Sequence, residues 1–402
     1  MNTGKSSVCG WWGRPAETYV RWVLGVVLVA AVVRVGLASP QGGMDNAIVV
    51  RAAEAWLDGR SPYADRHFLY LPGAVLAAVP QALLPADVVR FLVPAGVTAG
   101  LVGGWVCALR IHGVPLRSRF AVYGLLGLAL GFAPFGHLVQ LGNWTAGSAL
   151  ALPCALLLVC RGRWIAAGLV IGAAVAVKPL LAPVVLLFVF ARRWRALGAA
   201  VGVPALVSAV AALAMPDPAG FFTRTLPFLL RGEDTFVRLY EASPAAVLTR
   251  LGVPESAATL LAGGAAAAGV WCAWRRWGRG GEQDASARVV ECAVMLMLSA
   301  FLVSRPSYDH YLLAVLPLLL AGALVPGSAA RRPWFWVALV PQVPGFSWPW
   351  LEPGTRRAFK DAVTLCVLAG TVGWVCVRSV TLENADPPVA RESPVPGSRA
   401  AF

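Results

Sequence analysis

The sequence predicts an all-α polytopic membrane protein: a bundle of about twelve transmembrane helices with outer-face loops and interfacial helices. Three observations lead there. Apolar residues (AVILMFWYC) fill 58% of the 402 positions and charged residues only 13%, against roughly 25% charged in an average soluble domain. Apolar stretches recur from residue 19 to residue 377, several near the ~20 residues a helix needs to cross a bilayer. Connectors with an excess of Arg alternate with connectors in which acids balance the basic residues, which is the pattern of a chain threaded back and forth through a membrane.

Taken in order, the first stretch, 19–38, is long for the apolar part of a signal peptide. Gly36-Leu37-Ala38 has the small-residue look of a cleavage site, but the stretch reads as a retained span. Further spans are expected at 88–110, 120–138, 144–160, 164–177, 180–191, 196–215, 257–274, 289–303, 311–325, 334–343 and 362–377. The connectors with Arg110, Arg117 and Arg119, with Arg161 and Arg163, with Arg192, Arg193 and Arg195, with Arg275, Arg276, Arg279 and Arg288, and with Arg331 and Arg332 then share one side with both termini. The positive-inside rule makes that side cytoplasmic, in a multi-pass plasma-membrane protein. The net charge of +14 is thus a topology signal, and no nucleic-acid partner is implied.

Residues 71–84 are apolar but short, and carry Pro72 and Pro80. If they crossed, every later basic loop would move outside, so they read as a re-entrant or interfacial helix on the outer face. Two outer segments, 39–87 and 216–256, are long, and function is to be sought there. Residues 1–380 form one membrane domain. The tail 381–402, with Pro387, Pro388, Pro394 and Pro396, reads as a disordered cytoplasmic end. The eight cysteines have no CxxC spacing and read as small buried hydrophobes, so neither a disulfide framework nor a metal site is expected, and no cofactor is called for.

Several outer positions could carry chemistry. Asp45 lies in Gln41-Gly42-Gly43-Met44-Asp45-Asn46, just before an amphipathic run. A carboxylate at the mouth of a cavity can take a proton from a sugar hydroxyl. An Asp at that place also suits a helix N-cap, and the two roles are compatible. Tyr63 in Gly59-Arg60-Ser61-Pro62-Tyr63, and His67 and Tyr70 in His67-Phe68-Leu69-Tyr70-Leu71-Pro72-Gly73, can shape a pocket for a sugar or lipid head, or belong to an ordinary interfacial belt.

Lys178 joins two stretches of 14 and 12 residues, each too short at ~1.5 Å per residue to cross ~30 Å. Its turn should therefore sit below the outer surface, where a lysine is costly unless it meets a cavity or an anion such as a lipid phosphate. Snorkelling to the interface is the alternative. Arg224, among Phe221, Phe222 and Phe228, can clamp a phosphate or simply be solvated. Arg305 and His310 can stabilise a phosphate leaving group, and His310 can also donate a proton as a second catalytic residue, with Asp309 pairing to Arg305. Positions 45, 178, 224, 305 and 310 all fall at outer span ends under a topology that other residues set.

In this order and spacing, Asp45, residues 59–63, Phe68-Leu69-Tyr70-Leu71-Pro72, Gly142-Asn143, Val177-Lys178-Pro179 and residues 304–310 leading to Leu316-Pro317 resemble glycosyltransferase family 87. Its members are membrane enzymes of the GT-C architecture that use polyprenyl-phosphate sugars. Val177-Lys178-Pro179-Leu180-Leu181, Arg193-Trp194-Arg195-Ala196-Leu197 and Phe221-Phe222-Thr223-Arg224-Thr225-Leu226-Pro227 are similar to its α-(1→3)-arabinofuranosyl-transferring subgroup. Met44-Asp45 stands where that subgroup looks to carry paired acids, and Asp309-His310-Tyr311 is nearer the wider family's pattern.

The resemblance implies a polyprenyl-phosphate sugar donor, arabinofuranose favoured and mannose the alternative, and a glycan or glycolipid acceptor, with membrane lipids around the chain. It implies an inverting displacement with Asp45 as base and His310 beside the phosphate. Lys178, Arg224, Arg305, His67, Tyr63, Tyr70 and Asn143 would line the substrates. A secondary transporter and a non-catalytic envelope scaffold are the readings of other classes. They part from the enzyme on whether Asp45, Lys178 and His310 meet in one cavity.

Overall fold

The structure, a computed structural model, describes residues 10–231, 241–279 and 285–383. Among them the regular structure is helical, apart from an isolated bridge between Pro15 and Ser118. That is the outcome expected of Ala-, Leu- and Val-rich segments, in which a helix satisfies its own backbone groups without water.

Among the described residues, six helices are long and apolar enough to cross a membrane: Thr18–Ala38, Ala86–Ile111, Trp194–Leu213, Glu255–Trp277, Ala285–Val303 and Pro353–Arg378. A bent pair, Arg119–Gly131 and Ala133–Leu141, turns through 71° and would make a seventh. The break falls at extended Phe132, and Pro134 sits in the first turn of the new helix, where its missing N–H costs nothing.

The expected twelve are not reached by length. Three are shorter helices, Thr145–Cys160, Trp164–Val177 and Pro179–Phe190. The stretches 311–325 and 334–343 are divided into 3₁₀ and short α pieces, Asp309–Ala314 with Leu316–Ala321 and Pro333–Leu339 with Val340–Gln342, with Pro317 and Pro341 near the start of the later piece in each. The last helix runs to Glu383, past the expected boundary at 380. Cys9 and the tail from 384 onward lie outside the described residues.

The interior is built around Ala285–Val303, whose apolar window is 72% buried, whereas that of Thr18–Ala38 is 17% buried. The first is therefore a central helix and the second a peripheral one. Close helix approaches rest on small residues: Gly104 on Ala149, Gly168 on Ala196 and Gly172 on Ala199. Arg276 and Glu291, both buried, tie Glu255–Trp277 to Ala285–Val303 with a 2.7 Å ion pair.

A second, smaller core lies over the Trp164–Val177 and Trp194–Leu213 helices and carries the segment 39–87. It packs Val49, Ala53, Tyr63, Phe68, Ala74, Val75 and Met215 together. The Pro72–Ala82 helix belongs to it and lies against Met44–Leu57, Trp164–Val177 and Trp194–Leu213, with Gly73 close to the Ala176 carbonyl. This layer sets one wall of the cavity described next.

Candidate active site

Two glycine turns bring the first cluster together. Gly43, at φ 120, precedes the Met44–Leu57 helix, and Gly142, at φ 62, ends Ala133–Leu141. The turns touch: a side chain on Gly43 would run into the Leu141 carbonyl, and one on Gly142 into the Gly42 oxygen. Positive φ and missing space both call for glycine. Asp45 in the first turn of one helix thereby meets Asn143, just past the end of the other. It is not a cap, since no side chain caps that helix; its Oδ2 accepts a hydrogen bond from Asn143 Nδ2.

Asn143 is buried and bonded at both the nitrogen and the oxygen of its amide. Its Oδ1 accepts from the Thr145 backbone N–H and from Lys178 Nζ, each at 2.8 Å, and Nζ also donates to Thr145 Oγ1 at 2.8 Å. The Tyr70 and Tyr311 rings face the ammonium with centroids 5.6 and 4.9 Å away. Lys178 lies in the extended turn between Trp164–Val177 and Pro179–Val184 and is buried. A buried ammonium persists only where acceptors and counter-charge surround it. Here one amide bridges it to the Asp45 carboxylate.

The second cluster centres on Asp309, at the start of the Asp309–Ala314 3₁₀ helix. Asp309 accepts hydrogen bonds from His137 Nδ1, from the His310 backbone N–H at 2.7 Å, from His310 Nδ1 at 3.2 Å and from Arg357 Nη2 at 3.4 Å. A carboxylate only accepts, so both imidazoles carry their proton on Nδ1 and turn Nε2 away from it. Burial opposes the charge of Asp309, but the hydrogen bonds and charges of His137 and His310 outweigh it and hold the carboxyl well below the usual range. Burial pushes His310 down, against the pull of Asp309. The Tyr308 ring stacks on the His310 imidazole at 5.5 Å. His310 Nε2 is buried without a hydrogen-bond partner.

Both clusters line one cavity of about 620 Å³, closed on its apolar side by Leu180, Pro183, Ala300 and Phe301. Of the positions expected from sequence, Asp45, His67, Tyr70, Asn143, Lys178, Arg305 and His310 are on its wall. Burial, with a smaller contribution from Asp45, raises the Tyr70 hydroxyl, so it stays a neutral donor. His67 leans on Asp65, 3.2 Å from its Nδ1.

Two expected positions lie elsewhere. Tyr63 is buried beneath the wall, its ring on Phe68 and Phe221 and its hydroxyl directed at the Tyr70 carbonyl. Arg224 is exposed on the π-helical turn Phe221–Thr225 and pairs with Asp217 at 3.2 Å, because Thr225 takes the inward place and donates to the Phe68 carbonyl. A third expectation is corrected as well. Asp309 does not pair with Arg305, whose guanidinium bonds Glu255 at 3.2 Å and Thr259 at 3.4 Å.

His137, Arg357 and Thr145 were not expected from the sequence. His137 stood inside an assumed span, and its signal was Pro134 followed by two polar residues, His137 and Gln140, in an apolar run. Arg357 had no local signal; only the fold of Pro353–Glu383 brings it to His137 and Asp309.

Comparison with known proteins gives a consistent answer. The model of glycosyltransferase family 87 matches residues 68–304. An α-(1→3)-arabinofuranosyltransferase of Mycobacterium tuberculosis (strain H37Rv) is 29% identical over 290 residues, 67% of this chain and 62% of the relative. Proteins of the same name from Mycolicibacterium smegmatis and Corynebacterium glutamicum are each 28% identical, over 69% and 52% of this chain and 64% and 52% of their own. The chain thus spans less than two thirds of the length of these curated relatives. No solved structure matches it. The family match takes in Tyr70, Asn143 and Lys178, while Asp45 and His310 fall outside it.

Proposed function

This chain belongs to glycosyltransferase family 87, and we propose that it moves a sugar from a polyprenyl-phosphate donor to a glycan or glycolipid of the cell envelope. The fold is then of GT-C type, in the plasma membrane, with both termini cytoplasmic and the cavity open to the outer face. Arabinofuranose is the favoured sugar, because the matched relatives carry that activity in their names. Mannose is the alternative within the family.

The reading rests above all on one observation: Asp45, Lys178 and His310, far apart in sequence, line one cavity. A scaffold has no use for that convergence, and a transport path would spread such groups along its length. The donor's isoprenoid chain lies against the apolar side formed by Leu180 and Phe301, and the acceptor hydroxyl enters near Asp45. The hydroxyl oxygen attacks the anomeric carbon while the bond from that carbon to the phosphate oxygen breaks. The electron pair leaves on the phosphate, and the proton passes to Asp45 as general base. A displacement of this kind inverts the anomeric centre. The phosphate is already a stable anion, so fixed positive groups matter more than a proton donor.

The test is to incubate purified protein in detergent with polyprenyl-phosphate arabinose or mannose and a synthetic acceptor, and to weigh the product. A mass gain of one pentose is expected. No product from either donor, with the protein folded, would overturn the assignment, and a product from the mannose donor alone would exchange the sugar. A cysteine-reactive label that found position 45 on the cytoplasmic side would remove the outer-face arrangement.

A further inference from the structure

Most cationic groups expected to meet the donor phosphate are already engaged. Lys178 gives two of its three N–H groups to Asn143 and Thr145; Arg305 is held by Glu255 and Arg224 by Asp217. The cluster on Asp309 differs, because it contains a buried polar atom with nothing to bind among the described residues. His310 is 2% exposed, its Nε2 has no partner, and it lines the cavity. Buried polar atoms are rarely left so unless a ligand completes them.

His137 and Arg357 line the same cavity, with side chains about one third exposed. Arg357 presents a planar fork of five N–H groups, a shape suited to phosphate oxygens. Asp309 holds all three together. Both imidazoles spend Nδ1 on it, so both Nε2 atoms are directed elsewhere, and Arg357 reaches it through Nη2.

We propose that His137, His310 and Arg357 form the subsite for the donor phosphate, with Asp309 as the positioning residue that orients them. This rests on the reading of the chain as a polyprenyl-phosphate sugar transferase. With the subsite empty, Asp309 pairs with Arg357 at 3.4 Å. An arriving phosphate dianion or diester favours imidazolium, and each Nε2 then becomes a donor to it. Lys178 and Asp45, which both act on His310 electrostatically, belong to the other cluster, so the phosphate sits apart from the base. Attack on the anomeric carbon and departure of the phosphate are thereby served by different sets of residues.

The probe is farnesyl phosphate, a short polyprenyl phosphate, titrated into the purified protein in detergent. Wild type should bind it, and Arg357→Gln and His137→Gln should each weaken binding at least about tenfold, the loss expected for a charged hydrogen bond. Arg331→Gln, on a connector remote in sequence, should leave it unchanged. Asp309→Asn should weaken binding and also move its pH midpoint downward, since the imidazoles lose the carboxylate that favours their charge; a purely structural role would leave that midpoint in place. Should Asp309→Asn fail to fold, the two partly exposed variants decide alone.

Unchanged affinity in Arg357→Gln and His137→Gln, with binding lost in Lys178→Met, would overturn the subsite and return the phosphate to Lys178. Millimolar inorganic phosphate should displace the probe, because the headgroup is what is recognised. Phosphatidylglycerol displacing it as well as unlabelled farnesyl phosphate would overturn the donor assignment in favour of a general lipid site. Sugar transfer is scored separately. Transfer with unweakened binding in the variants sinks the subsite alone, and cluster-dependent binding without transfer of any sugar sinks the transferase reading alone.

Discussion

The two clusters of the cavity keep charge out of water in opposite ways. Around Lys178 every bond is internal: ammonium, amide and carboxylate are joined through Asn143, and Thr145 closes the set. Around Asp309 one carboxylate serves two imidazoles and a guanidinium, and an imidazole nitrogen is left without a partner. The first cluster is tied together through one amide before any ligand arrives, which suits a base that must be held in one orientation. The second is incomplete, which suits a site that a substrate finishes. A buried charge alone does not separate these cases; the count of satisfied partners does.

The largest effect to expect falls on the complete cluster. Asp45→Asn keeps the shape and can still pair with Asn143, yet it cannot take a proton. Transfer should drop by about 10²–10⁴, with folding and farnesyl phosphate binding near wild type. Near-normal transfer by this variant, followed as product mass per unit time, would break the division of labour between the clusters.

Next is Asn143→Ala, which leaves Asp45 in place but unties it from Lys178 and Thr145. A loosened base should lower kcat by up to about 10²-fold with the KM for donor little changed. Arg357→Gln should do the reverse, raising the donor KM more than it lowers kcat. If both variants gave the same split, the comparison between the clusters would lose its meaning. Gly142→Ala should resemble Asn143→Ala in activity, because its Cβ would push the two glycine turns apart.

Much of this arrangement is legible in the residues before any fold is known. The all-helical class follows from composition, and the Trp164–Val177 helix with Lys178 at its end lies where length and the Pro179 break put it. Local chemistry also marks Asp45 and His310, and the family resemblance marks Asn143. What sequence does not carry is pairing across the bundle. The apolar stretches at 311–325 and 334–343 read as spans, although Pro317 and Pro341 divide them into short pieces. Arg305 and Arg224 read as phosphate ligands, but Glu255 and Asp217 hold them. Arg357 carries no local signal, because its role arises only where Pro353–Glu383 meets the Ala133–Leu141 helix that carries His137. Long-range partners of charged residues are set by tertiary packing, and no periodicity encodes them.

The smallest effect concerns acid. The groups facing His310 are Asp309, Lys178, Asp45 and the Tyr308 and Tyr311 rings. Burial depresses the folded His310 below its unfolded value near 6.5, so the unfolded chain takes up a proton that the folded one resists. Stability from this source is present above that pH and falls as pH drops through it. Asp309, depressed in the fold, adds stability that is present above its unfolded value near 4 and is lost only below it. Between pH 7.5 and 5 the imidazole should therefore outweigh Asp309. The thermal unfolding midpoint of the ligand-free protein in detergent should fall over that range by a few degrees at most, and less so in His310→Gln. Farnesyl phosphate should reverse the sign, stabilising the wild type more at pH 6 than at pH 7.5, because binding the anion draws protons onto the imidazoles. Equal stabilisation at both values would mean that the imidazoles stay neutral beside the phosphate. The incomplete cluster would then owe its affinity to Arg357 alone.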